Sequence, residues 1–416
     1  MTKIIDALIE FNPWWKAPQE IEFKEREVYG KIQKFMPLPQ IIGLTGLRRV
    51  GKTTILLKIA EDAAKKGLKP ENVVYFSFDE FKDVEIRDLV KAYEEVMEKG
   101  LGQRKSLFLF DEIQKLDDWA DRLKAFYDAH KKSAKIVISG SESLFLRKKS
   151  KEALAGRIFE FKVEPLSFKE FLHFKGADLK PAGLYGKETA RLFNQFVLTL
   201  GFPELVDVKD KDVIKKYVKE SLVEKIVYRD IPGLFRVRDV SVLESLLNIL
   251  MEEPGQLLEI SGLAGELKIS RQTASNYLKY LEDSFLVRKL YNFSRNRRKV
   301  ERKLKKYYPT IVSIDLLFKN DDHSRSKIFE WLVVNQLKAE FFWRDPFKNE
   351  VDVIAANGEP LPIEIKYGRV DFKGLLAFME KFKIDEGLIV SYEIEETKKI
   401  DGKTIRIIPA FKYLAK

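Results

Sequence analysis

Cysteine is absent from all 416 residues, so disulfides and thiolate metal ligands are excluded outright. Histidine is nearly absent too. The three present (His130, His173, His323) are scattered, which argues against a structural zinc site. No uncharged run approaches the roughly 20 residues needed to cross a bilayer. The opening Met1-Thr2-Lys3-Ile4-Ile5-Asp6 lacks a signal-peptide pattern. A soluble, cytoplasmic protein without a membrane partner is expected.

What is present is charge. Charged residues make up 33% and hydrophobic ones 45%, a globular composition, and the length calls for two to four domains rather than one core. The formal net charge of +11 is not spread evenly. Between Arg288 and Lys306 stand ten Lys/Arg and one acid, Glu301, so this short segment holds most of the excess and needs its own explanation.

The most informative stretch is Gly46-Leu47-Arg48-Arg49-Val50-Gly51-Lys52-Thr53-Thr54. The apolar Ile41-Ile42-Gly43-Leu44 leads into it and Ile55-Leu56-Leu57-Lys58-Ile59-Ala60 follows with helical spacing. Strand, glycine loop and helix with G-x-x-x-x-G-K-T spacing form a Walker A phosphate loop. Gly46 and Gly51 let the backbone curl so that its N–H groups meet phosphate oxygens, and the helix adds its positive end. Lys52 is expected to reach the β- and γ-phosphates of ATP, or the β-phosphate of ADP, and Thr53 to ligate Mg²⁺.

A helix over Ile21–Phe35 precedes the loop, and the aromatic Trp14-Trp15 pair is expected to pack on the nucleotide domain. A buried strand, Val73–Phe78, follows the loop helix. Ser106-Leu107-Phe108-Leu109-Phe110-Asp111-Glu112 is then an apolar strand delivering two carboxylates, the Walker B pattern. Asp111 would hold the Mg²⁺ shell and Glu112 would orient and deprotonate the attacking water. The strand Lys135–Ser141 ends in polar residues, of which Ser139 is the first choice for a γ-phosphate contact and Ser141 the alternative. Arg157, ahead of a fifth strand, is a candidate arginine finger acting in trans. Alternating strands and helices predict an α/β fold with a parallel sheet and the nucleotide at its carboxyl edge. Because one strand intervenes in sequence, the loop strand and the Asp111 strand need not be neighbours.

Residues 166–232 read as a helical lid, in which Gly201 and Pro203 form a turn suited to the base or ribose. Helices over Leu257–Leu267 and Arg271–Leu281, joined by Lys268-Ile269-Ser270, have helix-turn-helix composition, with Arg271, Gln272, Asn276 and Lys279 able to reach base edges or phosphate. Two strands, Leu286–Tyr291 and Lys305–Tyr308, flank a basic tip containing Arg295, Arg297, Arg298, Lys299, Arg302 and Lys303. A winged helix (residues 233–310) contacting DNA chiefly through phosphate is the reading.

The tail, residues 311–416, places Glu330 on a helix and Asp352, Glu364 and Lys366 on a predicted hairpin. Two carboxylates and a lysine converging suit metal-assisted phosphodiester hydrolysis, with an exposed charged hairpin as the alternative.

Taken together, the two Walker segments, Ile138-Ser139-Gly140-Ser141, Leu154-Ala155-Gly156-Arg157 and Gly201-Phe202-Pro203-Glu204 resemble the archaeal-type AAA+ superclass ATPases close to the STAND-like clade. In these an ATPase core (here residues 37–165, after an N-terminal segment 1–36) is followed by a winged helix and a restriction-endonuclease-like tail. The resemblance implies ATP hydrolysis by Lys52, Thr53, Asp111 and Glu112, with Ser139 as a sensor, Arg157 as a finger and Gly201/Pro203 as nucleotide contacts. It implies a PD-(D/E)xK core at Glu330, Asp352, Glu364 and Lys366, although Val351 stands where that pattern has proline. An Mg²⁺-dependent ATPase that binds DNA is the first expectation. It would be a homo-oligomer, a hexameric ring among the forms open to it. An ATP-regulated nuclease is the second, and a slow nucleotide switch or scaffold with a protein partner the third.

Overall fold

A computed structural model describes residues 2–81, 83–140, 152–177, 185–235, 237–296, 298, 300, 304–356 and 358–416. The chain divides into two compact units, Met1–Pro165 and Leu166–Lys416.

The first unit is built on a parallel five-stranded sheet of β1 (Ile41–Thr45), β2 (Val73–Ser77), β3 (Ser106–Asp111), β4 (Ala134–Ser139) and β5 (Ile158–Lys162), in the order β2-β3-β4-β1-β5. The four strands from β1 to β4 are buried almost throughout, as expected for a sheet covered on both faces. Helices α1 (Thr2–Phe11), α2 (Glu27–Phe35), α3 (Lys52–Lys65), α4 (Ile86–Met97) and α5 (Trp119–His130) accompany it. Strand β4 lies between β1 and β3, so the loop strand and the Asp111 strand are separated.

The N-terminal segment closes the β2 edge. The Asn12 side chain donates to the Tyr75 carbonyl and accepts from the Tyr75 N–H, while both Trp14 and Trp15 indoles donate to the Val73 carbonyl. An edge strand left open would offer unpaired backbone groups to other chains. The helix predicted over Ile21–Phe35 starts only at Glu27. Arg26 stays extended instead, because its guanidinium donates to the carbonyls of Val50 (2.8 Å) and Glu164 (2.7 Å).

In the second unit, α6 (Phe168–Phe174) and α7 (Gly186–Thr199) open the chain, and a helical run follows from Lys211 to Leu234. Next come α8 (Val240–Glu252), β6 (Gln256–Leu258), α9 (Ile260–Glu266), α10 (Arg271–Asp283), β7 (Val287–Asn292) and β8 (Lys305–Pro309). The predicted helix over Leu257–Leu267 therefore starts later, since Gln256–Leu258 pair with β8 as a strand. Ser270 caps α10, accepting from the Thr273 N–H at 3.1 Å.

The sheet that holds β6, β7 and β8 does not end at residue 310. With β9 (Phe341–Arg344) and β10 (Glu350–Val351) they form one sheet, ordered β10-β9-β7-β8-β6. A third sheet is β11-β12-β13-β15-β14, from Val353–Ala355, Leu361–Lys366, Glu386–Ser391, Lys403–Pro409 and Glu396–Ile400. The arm of the predicted hairpin that carries Asp352 is thus two strands in two sheets, with Asp352 at the bend between them. Helix α11 (Asp322–Gln336) and helix α12 (Lys373–Phe382) complete what the site needs. The Gln336 side chain holds the start of α6, accepting from the Phe168 N–H and donating to the Leu166 carbonyl.

Candidate nucleotide site

The phosphate loop runs from the end of β1 to the start of α3. Gly46 has φ +144°, and a Cβ there would lie 2.2 Å from the Val163 carbonyl oxygen, so only glycine fits. Gly51, at φ +95°, turns the chain into α3, and Arg49 is left-handed as well. Leu47 and Val50 are buried and anchor the loop, whereas Thr53 and Thr54 are exposed at the head of the helix. The Lys52 ammonium is folded over the loop, donating to the carbonyls of Leu47 (2.8 Å) and Gly46 (3.1 Å). A lysine held this way stands at the mouth of an amide-lined turn, where a polyphosphate would meet both it and the positive end of α3.

Asp111, at the carboxyl end of β3, is buried and accepts from several donors. Thr53 Oγ1 donates to Oδ2 at 2.6 Å and Tyr75 OH donates to the same oxygen at 3.0 Å. The Ser139 hydroxyl and the Glu112 N–H both bond Oδ1. The Thr53 hydroxyl and the Asp111 carboxylate are together the hard oxygen donors that suit Mg²⁺, so the residues present fit that ion. Glu112 has φ +51°, a left-handed backbone that is costly for a residue with a side chain. Gln114 donates to its Oε2 at 2.5 Å, which aims the half-exposed carboxylate.

Two contributors had no motif. Tyr75, on β2, holds Asp111 from behind. Burial first, then the Asp111 charge, pushes its phenol far above the ordinary value, so it stays a donor at any physiological pH. Its signal in the sequence was only a tyrosine in an otherwise apolar strand. Arg26 braces the loop from beneath through Val50, and nothing in the surrounding residues marks it.

Other predicted residues fall elsewhere. Ser139 is fully buried and its hydroxyl donates to Asp111. Arg157 lies at the amino end of β5, where Ile158 is level with Ile41. That is the end of the sheet opposite the loop, and Arg157 pairs there with Asp128 at 3.0 Å. Gly201 and Pro203 belong to the second unit, where the Gly201 carbonyl accepts from the Leu166 N–H. Ser141, Arg297, Lys299, Arg302 and Lys303 lie outside the described residues.

On α10 the side chains of Arg271, Gln272, Asn276 and Lys279 are exposed as the spacing predicts. Gln272 bonds Asn276 and Lys279 pairs with Asp283. Arg295 donates to the Phe382 carbonyl and Lys289 pairs with Glu282, so part of the basic segment's charge is committed internally.

In the tail, Glu330, Asp352, Glu364 and Lys366 come together. Asp352 Oδ2 accepts from the Ile365 N–H at 2.8 Å, Lys366 pairs with Glu364 at 2.7 Å, and Tyr308 OH donates to Glu330 at 2.6 Å. Val351, in the place of proline, is buried beneath α12. Lys306, counted with the basic segment from sequence, is also here, 6% exposed and 2.5 Å from Glu350. Burial raises the carboxyls of Asp352 and Glu364, and their proximity raises Asp352 further. For Lys306 burial opposes the charge, but Tyr308, Glu330, Asp352 and Glu350 outweigh it and hold its affinity for the proton well above normal.

The strand order, the loop and the acidic strand end define the first unit as an α/β P-loop nucleotide-binding core. Residues 38–172 match the family described as "AAA domain". Residues 190–313 match a "Domain of unknown function (DUF8612)". The chain is similar to an uncharacterized protein of Methanocaldococcus jannaschii, 28% identical over 96% of this chain and 85% of the relative. It is also similar to one of Haemophilus influenzae, 31% identical over 59% of this chain and 61% of the relative. Among solved structures, the replication initiator DnaA bound to AMPPCP and single-stranded DNA aligns over 62% of this chain and 90% of its own, with 14% identity and a TM-score of 0.33.

Proposed function

We propose that the protein binds ATP with Mg²⁺ at the phosphate loop, hydrolyses it, and couples nucleotide state to DNA binding. The observation that carries the hydrolytic part is the Thr53–Asp111 contact of 2.6 Å, which joins the loop helix to the acidic strand end. In this reading Lys52 meets the β- and γ-phosphates and Glu112 takes the proton of the attacking water. Thr53 and Asp111 would hold Mg²⁺, which would neutralise phosphate charge when bound. Tyr75 and Ser139 keep the Asp111 carboxylate in place, and Arg26 keeps the loop in shape. The DNA part is supported by the exposed α10 face and by the excess positive charge between Arg288 and Lys306. The order α8, β6, α9, α10, β7, β8 supports a winged-helix reading of this segment.

The test is ATP turnover by wild type, Lys52→Ala and Glu112→Gln, each with and without single-stranded, double-stranded and forked DNA. Loss of turnover in Lys52→Ala and retained ATP in Glu112→Gln are expected. Normal turnover by Lys52→Ala would overturn the nucleotide assignment. Turnover indifferent to every DNA would remove the coupling and leave the ATPase.

A further inference from the structure

The tail carboxylates are those that a PD-(D/E)xK-like site would use to hold a divalent cation, and the structure allows a test of fit. One feature favours an ion: Glu364 Oε2 is buried and has no hydrogen-bond partner, an oxygen that a hard cation would readily take. Lys306 opposes it. This side chain comes from β8, a strand held between β6 and β7, and only 6% of it is exposed. Its ammonium lies 2.5 Å from Glu350 Oε1, 3.6 Å from Glu330 Oε1 and 4.0 Å from Asp352 Oδ1, and 5.6 Å from the centre of the Phe342 ring.

An ion bonded to Asp352 Oδ1 at about 2.1 Å would lie within roughly 6 Å of that ammonium, with little water between to screen the two. The cluster's charge is also already largely met. Lys306, Lys366 and Arg344 face Glu330, Glu350, Asp352 and Glu364, so a dication added to them would leave an excess of positive charge. The residues present therefore do not fit a divalent metal while Lys306 is in place.

We infer that Lys306 is a built-in cation that occupies this carboxylate site and excludes divalent metal from it, leaving the tail without metal-dependent nuclease chemistry. The lysine stands on β8, at the end of the basic run that begins at Arg288, and is buried among carboxylates. The inference goes beyond the proposed ATPase and does not depend on it.

Mn²⁺ titration of the full chain without nucleotide, followed by the electron paramagnetic resonance of free Mn²⁺, tests it. Comparison with Asp352→Asn separates the tail from the phosphate loop. Wild type and Asp352→Asn are expected to bind the same number of ions. Lys306→Met, which keeps length and removes charge, is expected to gain one ion, with affinity at the tail at least about tenfold above wild type. That gain should vanish in the Lys306→Met/Asp352→Asn double variant. A wild-type ion lost in Asp352→Asn, or cleavage of DNA by wild type with Mn²⁺ that Asp352→Asn abolishes, would overturn the inference. So would a folded Lys306→Met, checked by thermal melting, that gains no ion. If Lys306→Met does not fold, the comparison of wild type with Asp352→Asn decides alone: equality supports the inference and a difference refutes it.

Discussion

Tyr75→Phe isolates one hydrogen bond. The change removes the oxygen that donates to Asp111 Oδ2 at 3.0 Å and leaves the ring, packed edge-on against Phe11, where it was. A hydrogen bond to a charged group contributes about 1.5–3 kcal/mol. Asp111 keeps Thr53, Ser139 and the Glu112 N–H as donors, which places the loss near the lower figure, about 1.5 kcal/mol. If the lost anchoring is expressed in the transition state, turnover falls about tenfold. If it is expressed in the resting fold, the melting temperature of the 1–165 unit falls by about 3–6 °C. The assays are steady-state phosphate release across a range of ATP concentrations and thermal unfolding of the same preparations. Tyr29→Phe is the control, since its hydroxyl donates to Asp62 at 2.7 Å on the outer side of α3 and should affect stability alone. Wild-type turnover together with an unchanged melting temperature in Tyr75→Phe would refute the assignment of Tyr75 to the support of Asp111.

Two further outcomes are expected. Gly46→Ala forces a Cβ to 2.2 Å from the Val163 carbonyl oxygen at φ +144°, and should cost about 3 kcal/mol or more together with fluorescent-nucleotide binding; wild-type affinity in this variant would contradict the loop geometry. For Glu61, burial works against the charge, but bonds from Lys58, Lys65 and the Ile21 N–H outweigh it and bring its pKa to about 2. A depressed carboxylate contributes stability above its unfolded value, about 4.3, and loses it as pH falls toward the folded value. Glu61→Gln should therefore cost about 1–2 kcal/mol at neutral pH, a figure kept low because Lys65 is 60% exposed, and should flatten urea-measured stability between pH 5 and 2. An unaltered pH profile would show that these bonds do not stabilise the fold.

Local chemistry was legible in the sequence. The spacing of Gly46, Gly51, Lys52 and Thr53 requires a strand, a turn and a helix in succession, because only that order aims backbone amides and a helix terminus at one point. An apolar run ending in Asp111-Glu112 similarly marks a buried strand that must deliver its charges at its exit. Contacts between residues distant in sequence were not legible. Arg26 meets Val50 across a separation of 24 residues, and Tyr75 meets Asp111 because β2 pairs with β3. Lys306 looked like one more cation in a basic run. Only the pairing of β8 within a sheet that continues into β9 and β10 carries it beneath Glu350 and beside Asp352. Sequence spacing fixes which groups can cooperate within a turn or along a strand. Which charge ends beside which depends on strand order and on where a chain bends from one sheet to another, and those are settled by packing of the whole unit.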